Sequence, residues 1–153
     1  MSTSSRIGVV NDDQTITSIY CHFDGYPEGV GATLLEHWTD PAKVRALIAL
    51  GDISVLREEV GEKHDFDWQL PYFSINAGAK ERAALDADPR SKWTMAYGRD
   101  RGEKGTRAKK SANLSAFRSL GDNSNAEYTY LFIDGQWNCW DGRHHRIELK
   151  VEA

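Results

Sequence analysis

Three polar side chains that could contact a small ligand alternate along one short stretch of the chain. Tyr20, His22 and Asp24 lie two positions apart, and the residues between them are the apolar Cys21 and Phe23. Because alternate residues of a strand face opposite sides of a sheet, this pattern predicts a strand with the three polar groups on one face. Neighbouring groups on that face would be roughly 6 to 7 Å apart, close enough for one ligand to contact them.

A glycine-rich turn follows this strand and leads into the first predicted helix. Gly25, Gly29 and Gly31 flank Pro27, and both residue types favour turns. The first N–H groups of a helix lack intrahelical partners, so Gly29 and Gly31 are candidates for contact with a phosphate or carboxylate. The spacing is neither that of a dinucleotide-binding loop nor that of a P-loop. The needs of the turn alone are the favoured explanation for these glycines.

A basic segment predicts where an anionic ligand would be attracted. Residues 99–110 contain six basic side chains against two acidic ones, although the whole chain has a formal net charge of −4. The glycines within 98–105 predict a loop that is either mobile or folded over a ligand. We expect Arg99 and Arg101, with the adjacent Tyr97, to line the site. The acidic total argues against a general nucleic-acid-binding role.

The last third of the chain predicts an antiparallel meander with an aromatic face. Two alternating strands flank a strong hairpin turn at residues 134–135. Tyr128, Tyr130 and Phe132 share one face, and Trp137 adds a ring on the next strand. Such a face can stack a base or sugar, or it can be simply a hydrophobic core and its rim.

Together these features define a candidate ligand site without a predicted metal or cofactor. The candidate ligand-binding residues are Tyr20, His22, Asp24, Gly29, Gly31, Tyr97, Arg99, Arg101 and Trp137. In an enzyme, His22 could act as a general base oriented by Asp24, with Glu28 as an acid. The sequence contains none of the common hydrolase or metalloprotease motifs, which favours binding over catalysis.

Length and composition predict one domain in the cytoplasm. The 153 residues, at 17.2 kDa, suffice for a hydrophobic core without disulfides or metal, and residues 1–5 are expected to be frayed. No apolar run is long enough to cross a membrane, and the first residues lack the apolar core of a signal peptide. Cys21 and Cys139 both fall in predicted strands, which favours two reduced thiols in the core.

The order of predicted elements indicates an α+β fold. Helices are expected at 30–38, 41–50, 80–86 and near 117–120. Strands are expected at 6–10, 15–23, 92–97, 127–133, 136–140 and 145–151, and residues 53–56 could form a strand or a turn of helix. We therefore expect a single antiparallel-rich sheet of about five or six strands, with two to four helices packed on one face.

Four segments together resemble a family of small, uncharacterised bacteriophage and prophage proteins. The segments read IYCHFDGYPEGVG, LGDIS, YGRDRGE and YTYLFIDGQW, in this order along most of the chain. Residues 68–90 do not match the family and are interpreted as an insertion. The resemblance implies a phage context, in which small accessory proteins often inhibit a host defence protein or sequester a defence signal. It supplies no catalytic residues.

Three functional hypotheses follow. The first is a phage-type accessory protein, with a counter-defence role, that sequesters a nucleotide-like or other phosphorylated small ligand. The second is a small hydrolase or lyase that acts on such a ligand with His22 as base. The third is a direct inhibitor of a host defence protein. The five tryptophans also raise the possibility of a homo-oligomer formed through exposed aromatic area.

Overall fold

An eight-stranded sheet forms the centre of the molecule. The computed structural model describes residues 2–74 and 76–149. The strands are β1 (Ser5–Val10), β2 (Ile16–Cys21), β3 (Ile53–Val55), β4 (Met95–Ala96), β5 (Lys109–Ser111), β6 (Tyr128–Ile133), β7 (Gln136–Asp141) and β8 (Arg146–Ile147). Their order across the sheet is β4-β3-β2-β1-β6-β7-β8. The remaining strand, β5, also pairs with β2.

The sheet is mixed but mainly antiparallel. The hairpins β1–β2 and β6–β7 are antiparallel, whereas β1–β6 and β2–β3 are parallel. The α+β class is confirmed, but the expected five or six strands are too few. No sequence signal indicates β5, because three residues that begin with two lysines cannot show a two-residue period.

Five α-helices lie within the described residues: α1 (Ala32–His37), α2 (Pro41–Ala49), α3 (Ala79–Ala87), α4 (Tyr97–Arg101) and α5 (Leu114–Asn123). One turn of π-helix, Pro27–Gly31, runs directly into α1. Side-chain caps fix the starts of α2 and α5, because Asp40 Oδ1 accepts from the Ala42 N–H and Asn113 Oδ1 accepts from the Ala116 N–H. None of these helices is both long and apolar enough to cross a membrane.

Helices cover both faces of the sheet, so the expectation of helices on one face is wrong. On one face, α1 and α2 enclose the larger core with Ile7, Tyr130 and Phe132. On the other face, Phe117 of α5 packs among side chains of β2, β6 and β7. A Cβ at Gly8 would lie 3.0 Å from the Phe117 ring, so the glycine allows α5 to approach β1 closely. Sequence periodicity identifies α5 as a helix but does not reveal which face it covers.

The N-terminal residues are held in the fold. Ser4 and Ser5 are buried, and the Ser4 hydroxyl donates to the Asn125 carbonyl at 2.7 Å. The Thr3 carbonyl accepts from the Gly25 N–H at 2.8 Å. The expected fraying of residues 1–5 is therefore wrong for Thr3 to Ser5, because pairing to the 22–25 and 125–127 segments fixes them; Met1 lies outside the described residues.

Residues 68–92 lie at the periphery of the fold. The helix α3 has no buried residue, and it contacts the 3₁₀ turns Leu70–Phe73 and Pro89–Lys92. Trp68 anchors the segment, since it is buried and its ring lies 4.6 Å from the Arg90 guanidinium. The interpretation of 68–90 as an insertion stays a prediction.

Both cysteines belong to the larger core. Cys21 and Cys139 are fully buried and carry free thiols. Burial raises the pKa of each thiol to about 12. The prediction of two unpaired thiols in the core is confirmed.

Candidate functional site

The register between β2 and β3 brings polar groups from the two strands together. Cys21 pairs with Ile53, and both of these side chains face the larger core. Tyr20 and His22, which flank Cys21, and Ser54, which follows Ile53, therefore face the opposite side of the sheet. Tyr97 follows β4 beside them, and burial raises the pKa of its hydroxyl, although the neighbouring Ser54 hydroxyl partly offsets this effect. We call Tyr20, His22, Ser54 and Tyr97 the polar row.

Tyr20 is the partner of His22. The Tyr20 hydroxyl lies 2.9 Å from His22 Nδ1, and the imidazole packs edge-on against the Phe23 ring at a centroid distance of 4.6 Å. Asp24 does not orient the imidazole as expected, because its Oδ1 accepts from the Tyr26 hydroxyl at 3.3 Å.

Glu28 is exposed in the π-helical turn, where its charge contributes to the raised pKa of both Tyr26 and Tyr128. It thus belongs to the surroundings of these two tyrosines. The structure gives no support for pairing Glu28 with His22 as acid and base.

A half-buried carboxylate, missed by the sequence analysis, lies next to the polar row. Asp52 Oδ1 accepts from the Tyr20 N–H at 2.9 Å. Burial raises the pKa of Asp52, and the Tyr20 N–H and the Arg6 charge only partly offset this effect. The available signal was its position one residue before a short strand, in the LGDIS segment; its importance depends on the β2–β3 register, which the sequence does not show.

Tyr97 and Arg101 extend the site towards Phe66. The rings of Phe66 and Tyr97 stack at 5.6 Å, and the Arg101 guanidinium lies 4.6 Å and 4.9 Å from the two ring centroids. Arg101 also pairs with Glu103 at 2.6 Å. The expected loop at 98–105 is partly wrong, because its first residues belong to α4, which Gly102 caps with a φ of +68°.

Arg99 is a structural residue, contrary to its expected role in the site. Its guanidinium donates to the Val60 carbonyl at 2.8 Å, to the Thr94 carbonyl at 2.7 Å and to both oxygens of Asp100. The Asp100 side chain is fully buried and also accepts from the Ala96 N–H. These bonds tie α4 to β4 and to the 60s segment, and they leave Arg99 bound within the fold.

Trp137 is a core residue, and the structure does not bring it together with the polar row. It is 8% exposed, its ring packs 4.9 Å from that of Phe132, and its Nε1 donates to the Trp38 carbonyl at 2.8 Å. Tyr130 is also buried, and its hydroxyl donates to the Gly25 carbonyl at 2.7 Å. The aromatic face of the meander is thus covered by α1 and α2.

The glycines of the turn serve close packing. A Cβ at Gly29 would lie 2.3 Å from the Asp24 carbonyl oxygen, and Gly31 is buried against Tyr130. The N–H of Gly29 donates to the Tyr26 carbonyl, and that of Val30 donates to the Asp24 carbonyl. Because an internal acceptor occupies the Gly29 N–H and Gly31 is buried, the expected contact of these two glycines with an anion finds no support.

An apolar groove of about 500 Å³ opens beside the polar row and shares Ser54 with it. We call this the groove; its lining residues are Phe23, Asp24, Ser54, Val55, Arg57, Phe66, Asp67, Gln69, Leu70 and Met95. Phe23 is 42% exposed and Leu70 is 62% exposed, and both are among the few large apolar side chains exposed in the described part of the chain. Converging exposed apolar side chains are typical of a binding surface.

Arg57 places a positive charge in the wall of the groove. It donates from Nη2 to Gln69 Oε1 at 2.6 Å and from Nη1 to the Arg90 carbonyl at 3.4 Å. Burial lowers its pKa, and within residues 2–74 and 76–149 no carboxylate forms an ion pair with it. Nothing in the sequence distinguishes Arg57, because one arginine in an irregular segment carries no periodic signal.

These features define a candidate small-ligand site with an apolar groove, one half-buried cation and a polar end. In the part of the chain that the structure describes, no group of three or more His, Cys, Asp or Glu side chains is arranged to hold a metal ion. The chain was compared with protein-family models, with curated proteins and with solved structures, and none of them matches it.

Proposed function

We propose that this protein is a phage-type accessory binding protein that sequesters a small nucleotide-like ligand in the host cytoplasm as a counter-defence function. One observation supports this proposal above all: the aromatic groove around Arg57 adjoins the polar row at Ser54. A planar ring needs apolar walls, a sugar needs hydroxyl and imidazole partners, and a phosphate needs a cation. The site offers all three within one surface.

The groove has the dimensions for such a ligand. Its volume of about 500 Å³ falls within the range of roughly 300 to 1,000 Å³ that is usual for small-molecule sites. Phe66, held in place by its stack on Tyr97, offers a ring face or edge to a base. The resemblance to phage proteins supports the counter-defence context, in which sequestration requires tight binding and no turnover.

A second candidate is a hydrolase or lyase acting on the same ligand. The hydrogen bond between the Tyr20 hydroxyl and His22 Nδ1 favours this alternative, because it fixes an imidazole that could take a proton through its other nitrogen. A direct protein inhibitor is the third candidate, and the exposure of Phe23 and Leu70 favours it.

Thermal unfolding with a panel of nucleosides and of mono-, di- and cyclic nucleotides tests the proposal. The ligand is recovered afterwards, and its mass is measured by mass spectrometry. A ligand at about 100 times its dissociation constant adds about 2.7 kcal/mol to the free energy of unfolding. We expect a rise in Tm with at least one compound, which is recovered intact.

Phe66→Ala should remove the rise in Tm, since it deletes a wall of the groove. Lys80→Ala on the exposed helix α3 is the matched control and should retain it. Recovery of a changed ligand would replace sequestration by catalysis. No rise with any compound, together with a stable complex with a host protein, would instead establish direct inhibition.

A further inference from the structure

We infer that the groove selects a ligand that carries a single negative charge, and that Arg57 is the residue that binds this charge. The inference rests on the proposed function, because it specifies the ligand class for the same groove. Of the described residues that line the groove, Arg57 is the one cation.

The hydrogen bonds of Arg57 leave donors for a ligand. A guanidinium has five N–H donors, and the two acceptors of Arg57, Gln69 Oε1 and the Arg90 carbonyl, are both neutral. Burial lowers the pKa of Arg57 with no compensating carboxylate. An anion bound at the free donors would gain a charge-assisted hydrogen bond in a partly desolvated site.

The neighbouring cations are already neutralised. Arg90 pairs with Asp88 at 2.7 Å, Arg99 with Asp100 at 2.8 Å and Arg101 with Glu103 at 2.6 Å. Arg57 differs from all three because its partners carry no charge. A ligand therefore finds one unneutralised guanidinium at this site.

Two carboxylates limit the negative charge that the groove can accept. Asp24 and Asp67 are exposed and line the groove with Arg57. A second negative charge on the ligand would meet these carboxylates without a second cation to offset the repulsion. Among nucleotide-like compounds, a phosphodiester carries one negative charge at neutral pH, whereas a phosphomonoester carries nearly two.

Titration of wild-type protein with adenosine, cyclic 3′,5′-adenosine monophosphate and adenosine monophosphate tests the charge preference, with the guanine, cytosine and uracil series in parallel. For at least one base, we expect the cyclic diester to bind at least about tenfold more tightly than the nucleoside. This factor corresponds to the free energy gained from one hydrogen bond to a charged group. The monoester should bind more weakly than the diester. Nicotinate, a planar carboxylate, tests whether the monoanion can be other than a phosphate.

Arg57→Gln should remove the preference for the diester over the nucleoside, and Arg57→Lys should restore part of it. Arg107→Gln removes an exposed cation outside the groove and is the matched control. Asp67→Asn should improve monoester binding by about threefold to tenfold, as expected for removal of one partly screened charge. This last variant keeps the inference testable even if Arg57→Gln does not fold.

The outcomes separate this inference from the function on which it rests. Equal binding of nucleoside and diester, or affinity that rises with each added charge, overturns the inference and leaves nucleotide binding intact. Binding of nicotinate alone, lost in Arg57→Gln, retains the role of Arg57 and overturns the nucleotide-like ligand. The absence of binding by every compound overturns both.

Discussion

The β6–β7 hairpin and the β2–β3 end of the sheet place similar aromatic side chains in different environments. In the hairpin, Tyr130 and Trp137 are buried, and each donates its polar hydrogen to a backbone carbonyl of the fold. At the β2–β3 end, Phe23 is exposed, and Tyr20 and Tyr97 are half-buried beside a groove. Aromatic side chains whose polar atoms all have internal partners stabilise the fold, whereas those left at a groove can serve a ligand.

The difference arises from what covers each region. The helices α1 and α2 close the meander face, while the strands beside the groove, β3 and β4, contain only three and two residues. Phe66 and Leu70, from the irregular 64–73 segment, form a wall of the groove. Because these strands are short, the loops beside them can bring side chains together around a concave surface.

The strongest test of the comparison lies within the YGRDRGE segment, where one arginine is structural and the other is exposed. Asp100→Asn should lower the free energy of unfolding by about 3 to 5 kcal/mol, because it leaves the Arg99 charge without its buried partner. Glu103→Gln, which removes the exposed partner of Arg101, should change it by less than about 1 kcal/mol. Urea unfolding measures both, and equal effects would contradict the assignment of Arg99 to the fold.

A second test compares one ring from each region. Trp137→Ala should cost about 3 to 5 kcal/mol of unfolding free energy, as large-to-small changes in a core do. Phe23→Ala should cost less than about 1.5 kcal/mol, because the ring is 42% exposed. For the proposed function, Phe23→Ala should weaken ligand binding, and Trp137→Ala should leave it unchanged in the folded fraction. The reverse pattern in binding would return Trp137 to the site.

The sequence predicts most of the regular fold because the long elements carry their own signals. Periodicity identifies β1, β2, β6 and β7, and the capping residues Asp40 and Asn113 mark the starts of α2 and α5. The strand β5 and the helix α4 could not be predicted, because a segment of three to five residues is too short to show a periodic pattern. The face of the sheet that α5 covers could not be predicted either, because it depends on how the chain connects the strands.

The candidate site could be predicted only in part, for a related reason. The alternation of Tyr20 and His22 is local, and the structure retains both in the polar row. Asp52 and Arg57 depend on strand register and on loop packing, which join residues distant in sequence. The basic 99–110 segment and the strand alternation predict Arg99 and Trp137 in the site, but burial gives each a role in the fold.

The smallest expected effect concerns Asp52, the half-buried carboxylate beside the polar row. Burial raises the pKa of Asp52 in the folded protein above the ordinary value of 3.8. Below that value the carboxyl group is neutral in both the folded and the unfolded protein. As the pH rises and the group ionises, the buried charge lowers the free energy of unfolding. Asp52→Asn should therefore match wild type at low pH and be more stable at pH 7. The gain should be about 1 kcal/mol or less, since solvent screens a half-exposed group.

Asp88→Asn is a matched control with the opposite sign. Its side-chain and backbone hydrogen bonds with Arg90 lower the pKa of Asp88 to about 2, so its carboxylate stabilises the fold above pH 3.8 and this contribution is lost as the pH falls towards 2. Urea unfolding of both variants and of wild type from pH 3 to 7 gives the comparison. If Asp52→Asn is less stable than wild type at pH 7, then attraction to Arg6 and Lys109 outweighs burial. Asp52 would in that case be part of the stabilising charge network of the fold.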